Sequence, residues 1–432
     1  MVSKRSVALV AAAAAAAFAG AGVPLDAAGS KTLSVPGRAS ANVSMAAEGS
    51  FVAIVWAAST AEGATDIYAA TSRDGGATVS TPVRVNVTPG DARTNGEQPP
   101  RLALMSRASG PPEMAVVWLS KRQTGTVLLT SRSTDAGRTF TPATIVSGSD
   151  AAGNRGWEAI AADGNGGAVV AWLDHRRLAD RDSQMAAMHQ HDHGAAAPTT
   201  ATRPDGVETA QLSQIYVAKL DGSAPQALTG GVCYCCKTAV VAGSSGELYV
   251  AWRHVYPGNL RDIAFAVSRD GGRTFSPPVR VSEDRWAIEG CPEDGPSLAV
   301  DRGGRVHVVW PTVVTENNEP VKALFHAVSL DGRTFGPRTR IPSNGQANHP
   351  QLVFGRDGSL AVAWDESGNG ARRVAFARGT IGADGRVSFR RVAAGRARPG
   401  SYPVIVALDQ SLLASWTSGD PARSVIHVEN IQ

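Results

Sequence analysis

Long apolar runs are scarce in this chain of 432 residues, and so are aromatic side chains, at 6%. Beyond the first thirty residues no apolar stretch is long enough to span a bilayer, so no later membrane span is expected. Charge of one sign is also missing. Lys and Arg number 42 against 38 Asp and Glu, and the small excess is dispersed, which argues against a nucleic-acid partner. The sequence holds no Ser-His-Asp motif, no phosphate-cradling glycine loop and no dinucleotide fingerprint. Cysteine is rare, with four in all, and none stands near the N-terminal leader where a lipoprotein would need one. Glycine is abundant, at 46 residues. Many glycines and few aromatics suit a turn-rich β protein.

The leader itself is informative. Met1-Val2-Ser3-Lys4-Arg5 is basic, an apolar stretch with seven alanines from Ala11 to Ala17 follows, and small residues stand at Ala19, Ala21 and Ala27. This is the pattern of a secretory signal peptide, expected over residues 1–28. An uncleaved anchor would need a longer apolar stretch. The chain is therefore expected to be exported, to a periplasm or the medium, with residues 29–432 as one domain.

A repeated phrase organises the rest. Ser72-Arg73-Asp74-Gly75-Gly76-Ala77-Thr78 recurs as Ser133-Thr134-Asp135-Ala136-Gly137-Arg138-Thr139-Phe140, then as Ser268-Arg269-Asp270-Gly271-Gly272-Arg273-Thr274-Phe275. A shorter copy runs Ser329-Leu330-Asp331-Gly332-Arg333-Thr334-Phe335. A second landmark is an apolar strand ending in Trp56, Trp118, Trp172, Trp252, Trp310, Trp364 or Trp416. Such runs bounded by Gly and Asp read as buried strands, and the Asp-Gly phrase as a tight turn between the third and fourth strands of each unit. The predicted fold is all-β, a seven-bladed β-propeller of four-stranded antiparallel blades, with six blades as the alternative. The seventh unit lacks its last strand, and Thr32-Leu33-Ser34-Val35-Pro36 resembles the missing piece. A terminal strand of this kind closes the ring and removes exposed edges.

The phrase Ser-x-Asp-x-Gly-x-Thr-Phe resembles the Asp-box of the bacterial neuraminidase repeat, or sialidase-like, superfamily. The resemblance implies a propeller, and it implies that Asp74, Asp135, Asp270 and Asp331, with the Ser, Gly and Thr residues around them (Ser72, Gly76, Thr78, Ser133, Gly137, Thr139, Ser268, Gly272, Thr274, Ser329, Thr334), are scaffold that ties each turn's own amides. It also implies that function sits on the opposite face, where strands begin after a blade boundary or end just beyond the Trp. The family's chemistry uses a tyrosine nucleophile, carboxylates and substrate-holding arginines. The family's early Arg-Ile-Pro element is absent, with Ser34-Val35-Pro36-Gly37-Arg38 standing instead. Arg101, Arg155, Glu158, Glu293, Arg398 and Tyr402 are the candidates for a sialidase-like glycoside hydrolase, and none matches a family motif. A working sialidase is not the favoured expectation.

Cysteines and an insertion gather on that same face by offset counting. Cys233 precedes Trp252 by the same nineteen residues that separate Cys291 from Trp310, and Cys235 and Cys236 stand beside Cys233. The spacing from Trp172 to Trp252 is longer than usual, and the extra sequence, at about 178–212, contains Met185, Met188, His189, His191 and His193. His175, His254 and His349 fall on the same face. Thiolate, thioether and imidazole together suit copper, with zinc second. Cys233 and Cys235 are expected on an extended strand, both facing one way, with Cys236 facing the other. The competing expectation is disulfide formation, common in exported proteins, with Cys233–Cys291 the most natural pair. A polar, unstructured insertion competes with a metal-capture loop. The expected function is therefore metal binding by a non-catalytic propeller. The alternatives are glycan hydrolysis, or a disulfide-held module binding a small glycan or another exported protein. A monomer is expected.

Overall fold

The computed structural model describes the strand Val23–Pro24 and residues 30–123, 125–191, 206–288, 292–368, 370–382, 385–393 and 397–431, with the backbone alone for 184–191. Seven four-stranded antiparallel sheets follow one another in chain order. They are the blades of a β-propeller. Blade 1 is typical: Ala39–Glu48 lies innermost, then Phe51–Ser59, Thr65–Ser72 and Val83–Arg84 outermost. Blade 7 closes as the sequence predicts. Ser30–Leu33 pairs with Val425–Ile431, Leu33 opposite Ile426, and supplies the fourth strand. The pairing starts two residues earlier than the Thr32–Pro36 expectation.

Each Trp landmark ends the apolar part of a second strand and is completely or almost completely buried. The clusters show why. Trp118 packs among blade 1 residues such as Val55 and Ile67, Trp364 among Val309, Leu324 and Ile341 of blade 5, and Trp56 against Val406 and Leu413 of blade 7. One large ring per blade thus fills the seam with the blade before it. At about 25 cal/mol per Å² over 150–250 Å², each ring contributes roughly 4–6 kcal/mol of gross burial.

The repeated turns hold themselves. The Asp135 carboxylate accepts from Ser133 Oγ, from the amides of Arg138 and Thr139 and from Thr139 Oγ1, the last at 2.6 Å. Asp270 makes the same set with Ser268, Arg273 and Thr274, and Asp74 accepts from Ser72 Oγ and from the amide and Oγ1 of Thr78. These bonds favour the ionised carboxylates and hold their pKa values low, at about 2 for Asp135. The side chains are spent on their own turns, so the repeat is scaffold.

Strand pairing also fixes equivalent heights. The residue before each Trp faces Ser44, Arg101, Ala159, Ala239, Ser297, Gln351 or Val404 on the innermost strand. Two residues earlier stand Asn42, Pro99, Trp157, Lys237, Gly295, His349 and Tyr402. In four blades that residue is a bulge with positive φ: 59° at Asn42, 51° at Trp157, 54° at His349 and 54° at Tyr402. A β-bulge re-aims a side chain, and this one recurs around the mouth of the central channel. Left-handed backbone at a histidine, a tyrosine and a tryptophan is strained, and such strain concentrates at functional sites.

Candidate functional site

Two constellations share the face opposite the repeated turns. The first is the cysteine loop, which joins Gln226–Thr229 of blade 3 to Ala239–Ala242 of blade 4. Val232 bridges to His254, the Cys233 amide donates to Arg253 O at 2.9 Å, and the chain then turns at Tyr234 and Cys235. This corrects the expectation of an extended strand. Because the segment turns, Cys236 does not face away: its Sγ lies 3.5 Å from Cys233 Sγ. Cys233 Sγ is 4.0 Å from Cys235 Sγ, and all three sulfurs lie within 4.8 Å of one another. Exposures are 0% for Cys233, 5% for Cys235 and 1% for Cys236.

Cys233 and Cys236 are free thiols, whereas Cys235 is disulfide-bonded. The expected Cys233–Cys291 bond is therefore not formed. The turn, which sequence spacing cannot register, presents Cys235 for bonding and folds Cys233 back onto Cys236. Cys291 itself lies outside the described residues.

Electrostatics divides the two thiols. The Cys236 S–H donates to Cys233, and the Arg261 guanidinium sits 3.2 Å from Cys233 Sγ with Arg253 close by, so the Cys233 thiol is held below its ordinary range despite burial. Burial raises Cys236, and the Cys233 thiolate raises it further. A guanidinium beside a buried thiol is the setting that favours thiolate. Arg253 is itself anchored on the carbonyls of Asp294, Arg261 and Pro311.

The insertion reaches this loop. It follows Ala168–Asp174 of blade 3 as α1 (Arg176–His191), and returns as α2 (Gly206–Leu212) into Gln214–Lys219. Val232 N donates to Ala210 O at 3.1 Å, and Ala210 and Val207 pack on the three cysteines with Val255 and Trp157. The returning helix α2 is thus tied to the cysteine loop. Met185, Met188, His189 and His191 fall in the last turns of α1, and His193 lies outside the described residues. His175 and His254 flank the loop as neutral rings. Burial pushes each to about 4, and His254 Nδ1 accepts from Trp252 Nε1 at 3.3 Å.

The second constellation plugs the channel mouth. His349 is clasped between Glu97 (Nε2–Oε1, 2.7 Å) and Asp365 (Nδ1–Oδ2, 2.6 Å), and its amide donates to Asp294 Oδ2 at 2.9 Å. Lys322 stands 3.4 Å and Lys237 3.9 Å from Asp294. The Tyr402 ring lies 4.1 Å from the His349 ring, and its amide donates to Asp365 Oδ2. Gly96 is required here, since a Cβ on it would sit 2.0 Å from Tyr402 Cζ. Burial alone would lower the His349 pKa, but Asp294, Asp365 and Glu97 outweigh it and raise it to about 9. The mouth cavity measures only about 20 Å³, room for one water. Below it a channel of about 200 Å³ runs between the inner strands, with Arg101 and Lys237 lining both.

The six catalytic candidates scatter. Tyr402 is at the mouth, its phenol pushed up to about 12 by burial and by Glu97. Arg101 is close by and donates from Nε to the Glu158 carbonyl at 2.8 Å. Glu158 is fully buried, and burial raises its carboxyl to about 7 against the pull of Arg101. Arg155 lies off the axis in a buried pair with Asp174. Arg398 is paired with Glu429 and lines a separate cavity of about 640 Å³ with Arg373 and Arg391. Glu293 is exposed, with φ of 49°. Sequence reasoning missed Glu97, Lys237, Asp294, Lys322, Asp365 and Arg261. Lys237 could have been found from its offset, fifteen residues before Trp252, which equals that of His349 before Trp364. Asp365 directly follows Trp364 on its strand and so carried a positional signal, Lys322 lies on the third strand of blade 5, and Glu97, Arg261 and Asp294 stand in connections between strands.

No family model matches the chain, and no curated protein matches its sequence. Solved structures do. The polysaccharide lyase Uly1 is similar at 10% identity, over 92% of this chain and 91% of that one, with a TM-score of 0.53. An α-L-arabinofuranosidase, Arb93A from Fusarium graminearum, is similar at 11% identity, over 91% and 93%, with a TM-score of 0.50. The Hadza microbial sialidase Hz136 matches at 14% identity over 85% of this chain and 73% of that one, with a TM-score of 0.46. At these identities the likeness is one of fold alone: this chain is a β-propeller. No helix among the described residues is long and apolar enough to cross a membrane.

Proposed function

We propose that this chain is an exported Asp-box propeller, not a working sialidase, that binds a thiophilic metal ion through its cysteine loop, copper(I) in preference to zinc. Cys233 and Cys236 are the primary ligands. Cys235 joins when its disulfide is opened, and Met185, Met188, His189, His191 and His193 supply further soft or borderline donors from the insertion. The observation that carries this reading is the convergence of three buried sulfurs within 4.8 Å, packed against the helix α2 that ends the insertion. A metal–thiolate bond of about 2.3 Å spaces the sulfurs of a tetrahedral site by roughly 3.8 Å. The observed 3.5 and 4.0 Å bracket that spacing. A thiolate already stabilised by Arg261 has less need to lose a proton on metal binding, and thiolate with thioether selects Cu(I). The non-catalytic side of the proposal draws on Tyr402, a phenol too weakly acidic to serve as a nucleophile, and on Arg155 and Arg398, both engaged by carboxylates.

Anaerobic titration of reduced protein with Cu(I) against a chromophoric chelator tests this. Wild type should strip copper from the chelator, and Cys233→Ser/Cys236→Ser should weaken binding at least a hundredfold. Wild type that cannot compete, or a double variant that competes equally, removes the metal reading. Release of sialic acid from a fluorogenic glycoside, abolished by Tyr402→Phe, would overturn the non-catalytic reading.

A further inference from the structure

Two free thiols packed against a disulfide-bonded sulfur are more than a ligand set. We propose that the cysteine loop is a thiol–disulfide exchange centre, in which Cys233 attacks the disulfide at Cys235 and Cys236 resolves the product. Cys233 Sγ touches both partners, Cys235 at 4.0 Å and Cys236 at 3.5 Å. Arg261 Nη1, 3.2 Å away, steadies negative charge on the attacking sulfur. Val207, Ala210 and Val255 shield the loop, so exchange among its own sulfurs is favoured over attack by bulky outside thiols. Cys233-Tyr234-Cys235-Cys236 is also a Cys-x-x-Cys segment, the spacing that redox-active dithiols use.

The chemistry balances without an outside oxidant. The Cys233 thiolate forms a bond to Cys235 Sγ while the existing disulfide breaks, and its electron pair leaves with the displaced sulfur, which takes up a proton. Cys236 then loses its proton, attacks Cys233 Sγ and expels Cys235 as a thiolate that is protonated in turn. One disulfide exists before and after. It has moved from Cys235 to Cys233–Cys236, passing through mixed bonds as in any exchange of this class. The consequence for metal rests on the reading above: the bond that ties Cys235 leaves the two primary ligands free, whereas the Cys233–Cys236 bond consumes both. A dithiol reductant would open either bond and leave all three sulfurs available. Position of one disulfide thus sets metal capacity.

Peptide mapping decides the matter. Cleavage after Lys219 and Lys237 releases residues 220–237 with all three cysteines on one peptide. The intact, metal-free protein is equilibrated in glutathione buffers, quenched in acid, alkylated and digested. Wild type should yield two oxidised forms, one joined through Cys235 to a second peptide and one with a bond internal to 220–237. Cys236→Ser should abolish the Cys233–Cys236 bond and leave Cys233–Cys235 as the internal bond formed, and Cys233→Ala should freeze the bond at Cys235. If wild type holds only the bond at Cys235 at every poise, exchange is refuted, and this result needs no variant to fold. Copper titration of the same samples separates the two proposals. Exchange without copper binding sinks the metal reading alone, and copper binding equal in all redox forms removes the link between them.

Discussion

Nothing beside His349 in sequence would charge it. Its neighbours are Asn348 and Pro350. The carboxylates that do so arrive from blades 2, 5 and 6, as Glu97, Asp294 and Asp365. Its folded pKa of about 9 lies above the ordinary 6.5. A raised pKa of this sign gives stability that is complete below pH 6.5 and lost as pH rises through 9, a loss of about 3 kcal/mol. Glu158 acts in the same direction at lower pH. Its carboxyl, raised from 4.5 to about 7 by burial, makes the fold lose stability between those values. Thermal unfolding against pH should therefore fall in two stages, near 4.5–7 and near 6.5–9. Glu158→Gln should flatten the first and His349→Gln the second. Unchanged slopes in both variants would show that the mouth network does not titrate as described. Offset counting places His349 at the mouth, but it cannot assign its charge, because the charge belongs to residues more than fifteen positions away.

Among elements, the short strand Ser30–Leu33 closes the ring. It places Leu33 in the seam between blades 7 and 1 and covers the edge of Val425–Ile431. Removing residues 1–34 should lower unfolding stability on the order of 5 kcal/mol, from one buried leucine and the lost ladder bonds. It should also promote association through the bare edge. Denaturant melts and size-exclusion profiles at several concentrations would check both, and a truncated protein that melts normally as a monomer would contradict the closure. This element is visible in sequence because a unit lacking its fourth strand demands one. The cysteine loop was harder. Tyr234-Cys235-Cys236 carries no Gly, Pro, Asn or Asp to mark a turn, so alternation along a strand was the default expectation. The chain turns because Val232 and the Cys233 amide are pinned to blade 4 while Ala210 presses from above.

For the molecule as a whole, seven tryptophans bolt seven seams. Trp364→Ala should cost about 3–5 kcal/mol, as for other large buried aromatics. It should loosen blades 5 and 6 together, since the ring belongs to both. Hydrogen exchange would show paired loss of protection there, and loss confined to blade 6 would tell against the seam. The sequence by itself determined the blades, seven in preference to six, the closing strand, the scaffold role of the Asp-Gly turns and the face on which Cys233, Cys235 and Cys236 stand. Those follow from periodicity and equal offsets, which are properties of position along the chain. Only the tertiary structure decided which sulfurs touch, which cysteine is bonded, and that Arg261 rather than a neighbour in sequence stands beside Cys233. It likewise decided that carboxylates and lysines from several blades close the channel around His349. These depend on where connections of unequal length fold back, and burial makes such contacts strong through proximity in space alone.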